Sequence, residues 1–300
     1  DVISYMYQCL MSNLRQAASE CMWSDTIFFE NAARLAKLIG YYAKGQMPYT
    51  LIAKLSNTSG GYLDAPPFSR VQLGYGPYRY DFAVVEHNVN NNQSMVKLAL
   101  GNWHSPVRFK SDGTKFQEFV VERNDIGNYD NPSYISQKFV RVFTSTRDDL
   151  SAHVSELANE TEWTYSSDPL FLLQNPEYTD LNAESPTVSR TAIANMNSKN
   201  TRLFNFYINE NGDYVLKFGD GLSTDIPPKD QYIYVMYVTS TETDQSITQA
   251  VKTAIANASS APVNSFDGGA NSSIQCLPIT TLDGYRDKDN PDTIRANSRS

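Results

Sequence analysis

The first 45 residues place apolar side chains at helical spacing. Ile3, Tyr7, Leu10, Leu14 and Ala18 recur every three or four positions and predict one amphipathic helix. Ser24 or Asp25 then caps a second helix. Its buried side is expected to carry Ile27, Phe28, Ala32, Leu35 and Ile39, with Asn31, Arg34, Lys37 and Lys44 facing away and Gly40 and Gly45 near its end. From about residue 47 the period shortens to two. TLIAKLS (50–56), YRYDFAVVE (78–86), MVKLALGNW (95–103), KFQEFVVE (115–122) and KFVRVFT (138–144) read as strands. Gly60-Gly61 reads as a turn, Ala65-Pro66-Pro67 as a rigid bend, and the polar tract 87–94 as a loop.

Residues 145–200 have weak periodicity; LSAHVSELA (150–158) predicts a short helix in what reads as an insertion packed on the strands. Beyond it, LFNFYI (203–208) and YVLKF (214–218) flank a linker holding Asn211-Gly212, a pair that tolerates positive φ and marks a hairpin. Phe218-Gly219-Asp220-Gly221 follows at once and leads through Pro227-Pro228 into the buried strand YIYVMYV (232–238). SITQAVKTAIANA (246–258) predicts a helix with Ile247, Val251 and Ile255 on its packing stripe. NPDTIRANSRS opens a last helix, with Asn290 as cap and Pro291 in the first turn. The pattern is that of an α+β chain in five parts. These are an N-terminal helical pair (1–46), a β-rich domain (47–145), the insertion (146–200), the hairpin with its following helix (201–265), and a C-terminal segment cut short (266–300).

Composition narrows the function classes. The net charge of −8 and the lack of any long basic run argue against a general nucleic-acid binder. No window approaches the length of a membrane span, and the first residues lack the pattern of a secretory signal. Cys9, Cys21 and Cys276 are sparse, odd in number and far apart, as in a protein of a reducing compartment without a disulfide framework or zinc site. The 19 tyrosines suit both strands and wet subunit interfaces.

Candidate chemistry is thin. Gly219-Asp220-Gly221 lacks the lysine and hydroxyl residue of a phosphate loop, and an Asp between glycines most often bonds its own backbone. Asp283, Asp287, Asp289 and Asp292 lack the order of a calcium loop and read as a solvated turn. His87, expected in the polar loop, His104 beside Trp103, and His153 have no ligand-spaced neighbours. Glu118, Glu122 and Asp125 are carboxylates whose separation the sequence does not fix. No cofactor is expected, and no catalytic or metal residue is assigned. The N-terminal apolar faces, represented by Tyr7, Leu10, Leu14, Phe28, Leu35 and Ile39, form a candidate subunit interface, because two isolated helices of this length are marginal.

The order strand, Asn-Gly turn, strand, FGDG, proline, strand resembles the hairpin of the baseplate J-like family of contractile phage tails. Phe218, Gly219, Asp220, Gly221, Ile226, Pro227 and Tyr232 to Tyr237 carry that resemblance. The glycines usual beside the proline are replaced here. Gly268-Gly269-Ala270 with the later Asp292 to Asn297, and ENAARLAKLIGYYAKG (30–45), are similar to two further family segments. The resemblance implies a structural wedge protein of the virion tail baseplate, assembled in the host cytoplasm. Its implied partners are a second copy of itself, other wedge proteins and neighbouring wedges in a ring around the tail hub. It also implies that the ring transmits the trigger for sheath contraction, and that the natural chain continues past Ser300. No enzymatic activity, nucleic acid or membrane partner is implied. A carbohydrate-binding or receptor-binding tail module is the alternative that the Tyr, Trp and Asn content supports. A tail-associated glycosidase is a third.

Overall fold

The computed structural model describes residues 28–38, 41, 43–57, 68–75, 78–90, 93–122, 134–166, 202–209, 211–219, 221, 224–240, 247, 249–256, 261–266, 269–270 and 273–297. The first predicted helix lies outside these residues, and so do the turns at 60–61 and 65–67.

Among the described residues strand dominates over helix, so the α+β expectation is met in a more β-rich form. Six strands pair into a ring in which every neighbour is antiparallel. They are β1 (Thr50–Asn57), β4 (Gln93–Leu100), β3 (Tyr78–Asn90), β2 (Arg70–Tyr75), β13 (Ala261–Phe266) and β15 (Ile274–Pro278), the last returning to β1. A short strand β14 (Gly269–Ala270) adds to β13. Closing the ring removes the open edges that isolated sheets must otherwise protect. Period-two patterning aims the interior: Leu51, Ala53 and Leu55 are buried while Ile52 is exposed. Val71, Leu73, Phe82, Val96, Leu98, Val263, Ile274 and Cys276 fill the rest of the barrel core. Helix α2 (Gln249–Ala256) contributes Val251 and Ile255 to it, and Ile247 joins them, as the stripe predicted.

The chain leaves this barrel after β4 and re-enters it near α2, so residues 102–240 are inserted between barrel elements. They build an eight-stranded sheet. β5 (Asn102–Trp103) and β6 (Val107–Lys110) both pair with one edge of β12 (Tyr232–Ser240). The order then runs through β8 (Tyr134–Ser145), β9 (Thr161–Tyr165), β10 (Leu203–Ile208), β11 (Tyr214–Phe218) and β7 (Glu118–Glu122). Among the described residues only the β9–β10 pairing is parallel. Ile233, Val235 and Tyr237 of β12 face a core shared with Val142, Trp163, Phe206, Leu216 and Phe218. Tyr234 and Met236 face a second core with Phe68, Phe143, Leu150 and Leu157. With both faces covered, β12 buries every residue from Ile233 to Val238, which is why its sequence is continuously apolar.

Several expectations are corrected. The single strand read over 95–103 is broken at Gly101, where the chain passes from barrel to sheet. The tract 87–94 extends β3 and β4 on either side of residues 91–92 instead of forming a loop; His87 therefore lies in strand, paired with Val96. The turn of helix at 150–158 is a 3₁₀ turn, Val154–Asn159. Residues 161–165, assigned to an insertion, are an internal strand of the second sheet.

Both passages between barrel and sheet occur at one place. Gly101 has φ +139, and a Cβ there would stand 2.2 Å from the Thr239 carbonyl oxygen. Its N–H donates to Asp81 O at 2.9 Å. Around it Ala83, Ala99, Phe139 and Val238 form a small core, and Trp103 Nε1 donates to Val84 O at 3.1 Å.

Helix α1 (Phe29–Leu38) and helix α3 (Pro291–Asn297) lie on the second sheet. The stripe of α1 that packs is Ala32, Ala33 and Ala36 with Phe29 half-buried. Phe28 is instead 52% exposed and Leu35 only half-buried, a correction to the predicted face. Helix α1 packs with α3, and its small alanines, not Phe28 or Leu35, are the residues it buries in the core shared with the sheet. Asn290 caps α3 as predicted: its Oδ1 accepts from Thr293 N at 2.9 Å, while Thr293 Oγ1 accepts from Asn290 N at 2.7 Å. Ile294 is fully buried.

A two-stranded ribbon joins these helices to the barrel. Residues 44–50 run antiparallel to 283–289 through Met47 with Arg286 and Thr50 with Asp283. Asp289 Oδ2 accepts from Tyr41 O–H at 2.6 Å and Lys44 N–H at 2.9 Å. Asp289 is 6% exposed, so the acidic turn is not uniformly solvated.

Two outcomes follow from this packing. Gly101→Ala is expected to lower stability by about 2–4 kcal/mol, since a methyl group meets backbone that cannot yield without shifting the strand; chemical denaturation measures it. Burial, reinforced by the Asp289 hydrogen bond, pushes the Tyr41 hydroxyl up from 10.0 to about 12. A group raised on folding supports the fold fully below pH 10, and that support is lost as pH climbs through about 12. Wild-type stability should therefore fall more steeply between these limits than that of Tyr41→Phe, in paired denaturant titrations.

Candidate functional site

The hairpin motif is built from local hydrogen bonds outward. β10 and β11 pair in register, with Ile208 opposite Tyr214 and Phe204 opposite Phe218. Asn209 closes the turn. Its Oδ1 accepts from Asn211 N at 2.9 Å and Asp213 N at 2.8 Å, and its Nδ2 donates to Asp213 Oδ2 at 3.1 Å. Gly212 holds φ +84 and donates to Asn209 O at 3.0 Å. Asn211 is exposed at the tip. The turn is thus organised by Asn209, while Asn211-Gly212 supplies the backbone that follows it.

The FGDG segment is tied into the sheet. Phe218 is 1% exposed, with its ring 4.9 Å from Trp163 in an edge contact. Gly219 O accepts from Phe116 N at 2.7 Å. Gly221 holds φ +74 and donates to Thr224 O at 2.9 Å. Asp220 lies outside the described residues. Pro227 is buried, and its carbonyl accepts from Ser111 Oγ at 2.8 Å. Ser111 Oγ is also 3.1 Å from Gln117 Oε1, and Gln117 Nε2 donates to Thr114 O at 2.9 Å. Ser111 and Gln117 are 2% and 6% exposed, so these buried polar groups are satisfied by one another and by the loop they hold. Sequence reading missed this pair. Ser-Asp-Gly at 111–113 is a turn signal that could have drawn attention to it, but the bond to a carbonyl 116 positions away has no local signal.

Beside Gly221 opens a cleft of about 390 Å³ lined by Thr161, Trp163, Arg202, Asp225, Ile226 and Gln231. Trp163 is 3% exposed and donates through Nε1 to Thr144 Oγ1 at 3.1 Å, so its ring belongs to the core and not to a stacking platform. Arg202 Nε stands 3.9 Å from Asp225 Oδ2 at the rim. Among the described residues the cleft offers one carboxylate, Asp225, and one guanidinium, Arg202, both exposed, with Thr144 and Thr161 in its lining.

The other flagged residues are dispersed. His104 stacks on Tyr237 at 4.7 Å between ring centroids, and His153 faces Glu156 at 3.8 Å. Glu118 pairs with Lys217 at 2.6 Å. Of the acidic turn, Asp283 accepts from Gly284 N at 2.7 Å, Asp287 from Tyr285 O–H, Asp289 from Tyr41, and Asp292 pairs with Arg295. Among the described residues no group of three His, Cys, Asp or Glu side chains is arranged to hold a metal ion. Among the described residues no helix is long and apolar enough to cross a membrane. Of the candidate interface, Phe28 is exposed and Leu35 half-buried, while Tyr7, Leu10, Leu14 and Ile39 lie outside the described residues.

Neither a protein-family profile nor a characterised protein sequence matches the chain. Among solved structures, the chain is similar to one from the type VI secretion system TssK-TssF-TssG baseplate subcomplex, determined by cryo-electron microscopy. Identity is 8% and the TM-score 0.16, over 94% of this chain and 48% of that one. The chain thus spans about half the length of the chain it matches. At that TM-score the likeness carries no argument about fold or role.

Three substitutions at two positions test the hairpin. Gly221→Val should cost about 1–2 kcal/mol through its left-handed backbone. A Cβ there meets nothing nearer than Ile226 at 3.7 Å, so Gly221→Asn should recover most of the loss. Asn209→Ala should cost about 1–2 kcal/mol, because two turn N–H groups lose their acceptor; thermal melts read all three variants.

Proposed function

We propose that the chain is a structural component of a contractile-tail baseplate wedge, in which it works by assembly and not by catalysis. The observation that carries this reading is how the FGDG hairpin is used. Phe218 is buried against Trp163 and the Pro227 carbonyl accepts from Ser111, so these residues serve the sheet, while Gly221 and Ile226 border the cleft. The motif therefore acts as architecture, fixing the course of β11 and β12. The sequence resemblance to baseplate J-like proteins supplies the kind of architecture. On this reading the protein pairs with a second copy and with other wedge subunits, the wedges close into a ring around the hub, and the ring passes on the trigger for sheath contraction. Interfaces with two arrangements of similar free energy are the physical basis for such a step.

The purified chain is expected to self-associate, or to bind the other wedge proteins of its own particle, at concentrations of about 10 µM. Light scattering of the chain alone and with those proteins reads this, and cryo-electron microscopy of intact particles locates it. A monomer under both conditions, or density outside the baseplate, would overturn the proposal. Selective retention on a glycan array would favour the receptor-binding alternative instead.

A further inference from the structure

We infer that α1, the ribbon and α3 form one displaceable strap that opens as a unit while the barrel and the second sheet stay folded. The inference stands on the packing and does not depend on the baseplate reading.

The two helices are individually too short to persist, at 10 and 7 residues. Their apolar anchorage on the sheet is slight. Helix α1 buries three alanines and part of Phe29, and α3 buries Ile294. The surface they cover is made of far larger groups, including Ile135, Phe206, Ile208 and Tyr214, which hold together through pairings within the sheet. The barrel core shares no residue with this cluster.

At its barrel end the ribbon is seated by apolar contact, Tyr285 stacking at 4.9 Å on Tyr49 of the barrel core; over the rest of the strap the holding contacts are mainly polar and converge on a few positions. Asp289 binds Tyr41 and the Lys44 backbone, and Asp289 N donates to Lys44 O at 2.9 Å. Arg286 Nη2 donates to Gly45 O at 3.0 Å. Gly45 N donates to Gln137 Oε1 at 2.9 Å, and Gln137 Nε2 reaches Phe206 O at 2.8 Å, which joins the ribbon to the sheet. Lys288 lies with Nζ 5.3 Å from the Phe29 ring centroid and 6.0 Å from that of Tyr214. Burial there lowers the affinity of this lysine for its proton, so the closed strap confines a charge that opening would return to water. Because Asp289 and Arg286 bind the chain between α1 and β1, neither helix can leave with its end of the ribbon intact unless the other is freed. Cooperative opening with a free energy below that of global unfolding follows.

Hydrogen exchange of the full chain, read by mass spectrometry, tests this. Amides of 29–47 and 284–297 are expected to exchange together and faster than those of β1, β4, β8 and β12. Asp289→Ala should speed both segments by about tenfold or more while leaving those strands within about twofold. A variant carrying Met47→Cys and Arg286→Cys provides the opposite test, since this hydrogen-bonded antiparallel pair has disulfide-compatible spacing. Oxidation should slow both segments, and reduction should restore the rate. Independent exchange of the two segments, or loss of protection spread equally over barrel and sheet in Asp289→Ala, would overturn the inference. If Asp289→Ala does not fold, an oxidised double variant with unchanged exchange in α1 or α3 would overturn it as well.

Discussion

Everything in this protein hangs on the antiparallel pairing of β1 with β15. Ala53 meets Pro278 and Leu55 meets Cys276 across more than two hundred residues of chain. That pairing, with β13 spanning from β15 to β2, turns two meanders into a closed barrel. Without it Leu51, Leu55 and Phe82 would line an open sheet with water on their face, and α2 would have no core to enter. Bringing such remote segments together costs loop-closure entropy before any contact forms, and the apolar interior repays that cost only when the ring is complete.

Closing the barrel dictates the rest of the layout. The intervening residues must leave and return at one rim, and Gly101 against the Thr239 carbonyl is where the two passages touch. The inserted segment then needs a core of its own, which it obtains by covering both faces of β8 and β12. Its buried polar groups include Ser136, Thr144, Ser145 and Asn205 as well as Ser111 and Gln117, whose hydrogen bonds hold the loop beside the FGDG turn. The signature turn thus sits where strands change direction, a place where backbone constraint matters more than side-chain chemistry.

The two ends of the described chain follow a different logic. They are short helices with small or few apolar residues, fastened through Asp289, Arg286 and Gly45. Hydrogen bonds exchanged against water contribute less per contact than apolar burial does here, so this part of the fold is held less firmly than the two β cores.

Local signals determined a good deal. The strands 50–56, 138–144, 203–208, 214–218 and 232–238, the stripe Ile247, Val251, Ile255, and the Asn290 cap were all legible, because period, turn residues and caps act over a few positions. The hairpin was legible too, though its organising residue is Asn209 and not Asn211. Only the tertiary structure decided how the elements combine. That Gly101 divides one apolar run between two sheets, that 261–278 completes a barrel begun at residue 50, and that Asp289 is a buried fastener depend on neighbours far away in sequence. The same holds for α1: its alanines, not Phe28 or Leu35, are buried in the core it shares with α3 and the sheet, because fit as well as size selects the residues of a helix contact. Periodicity reports which faces are apolar; which surface each face meets is set by long-range pairing.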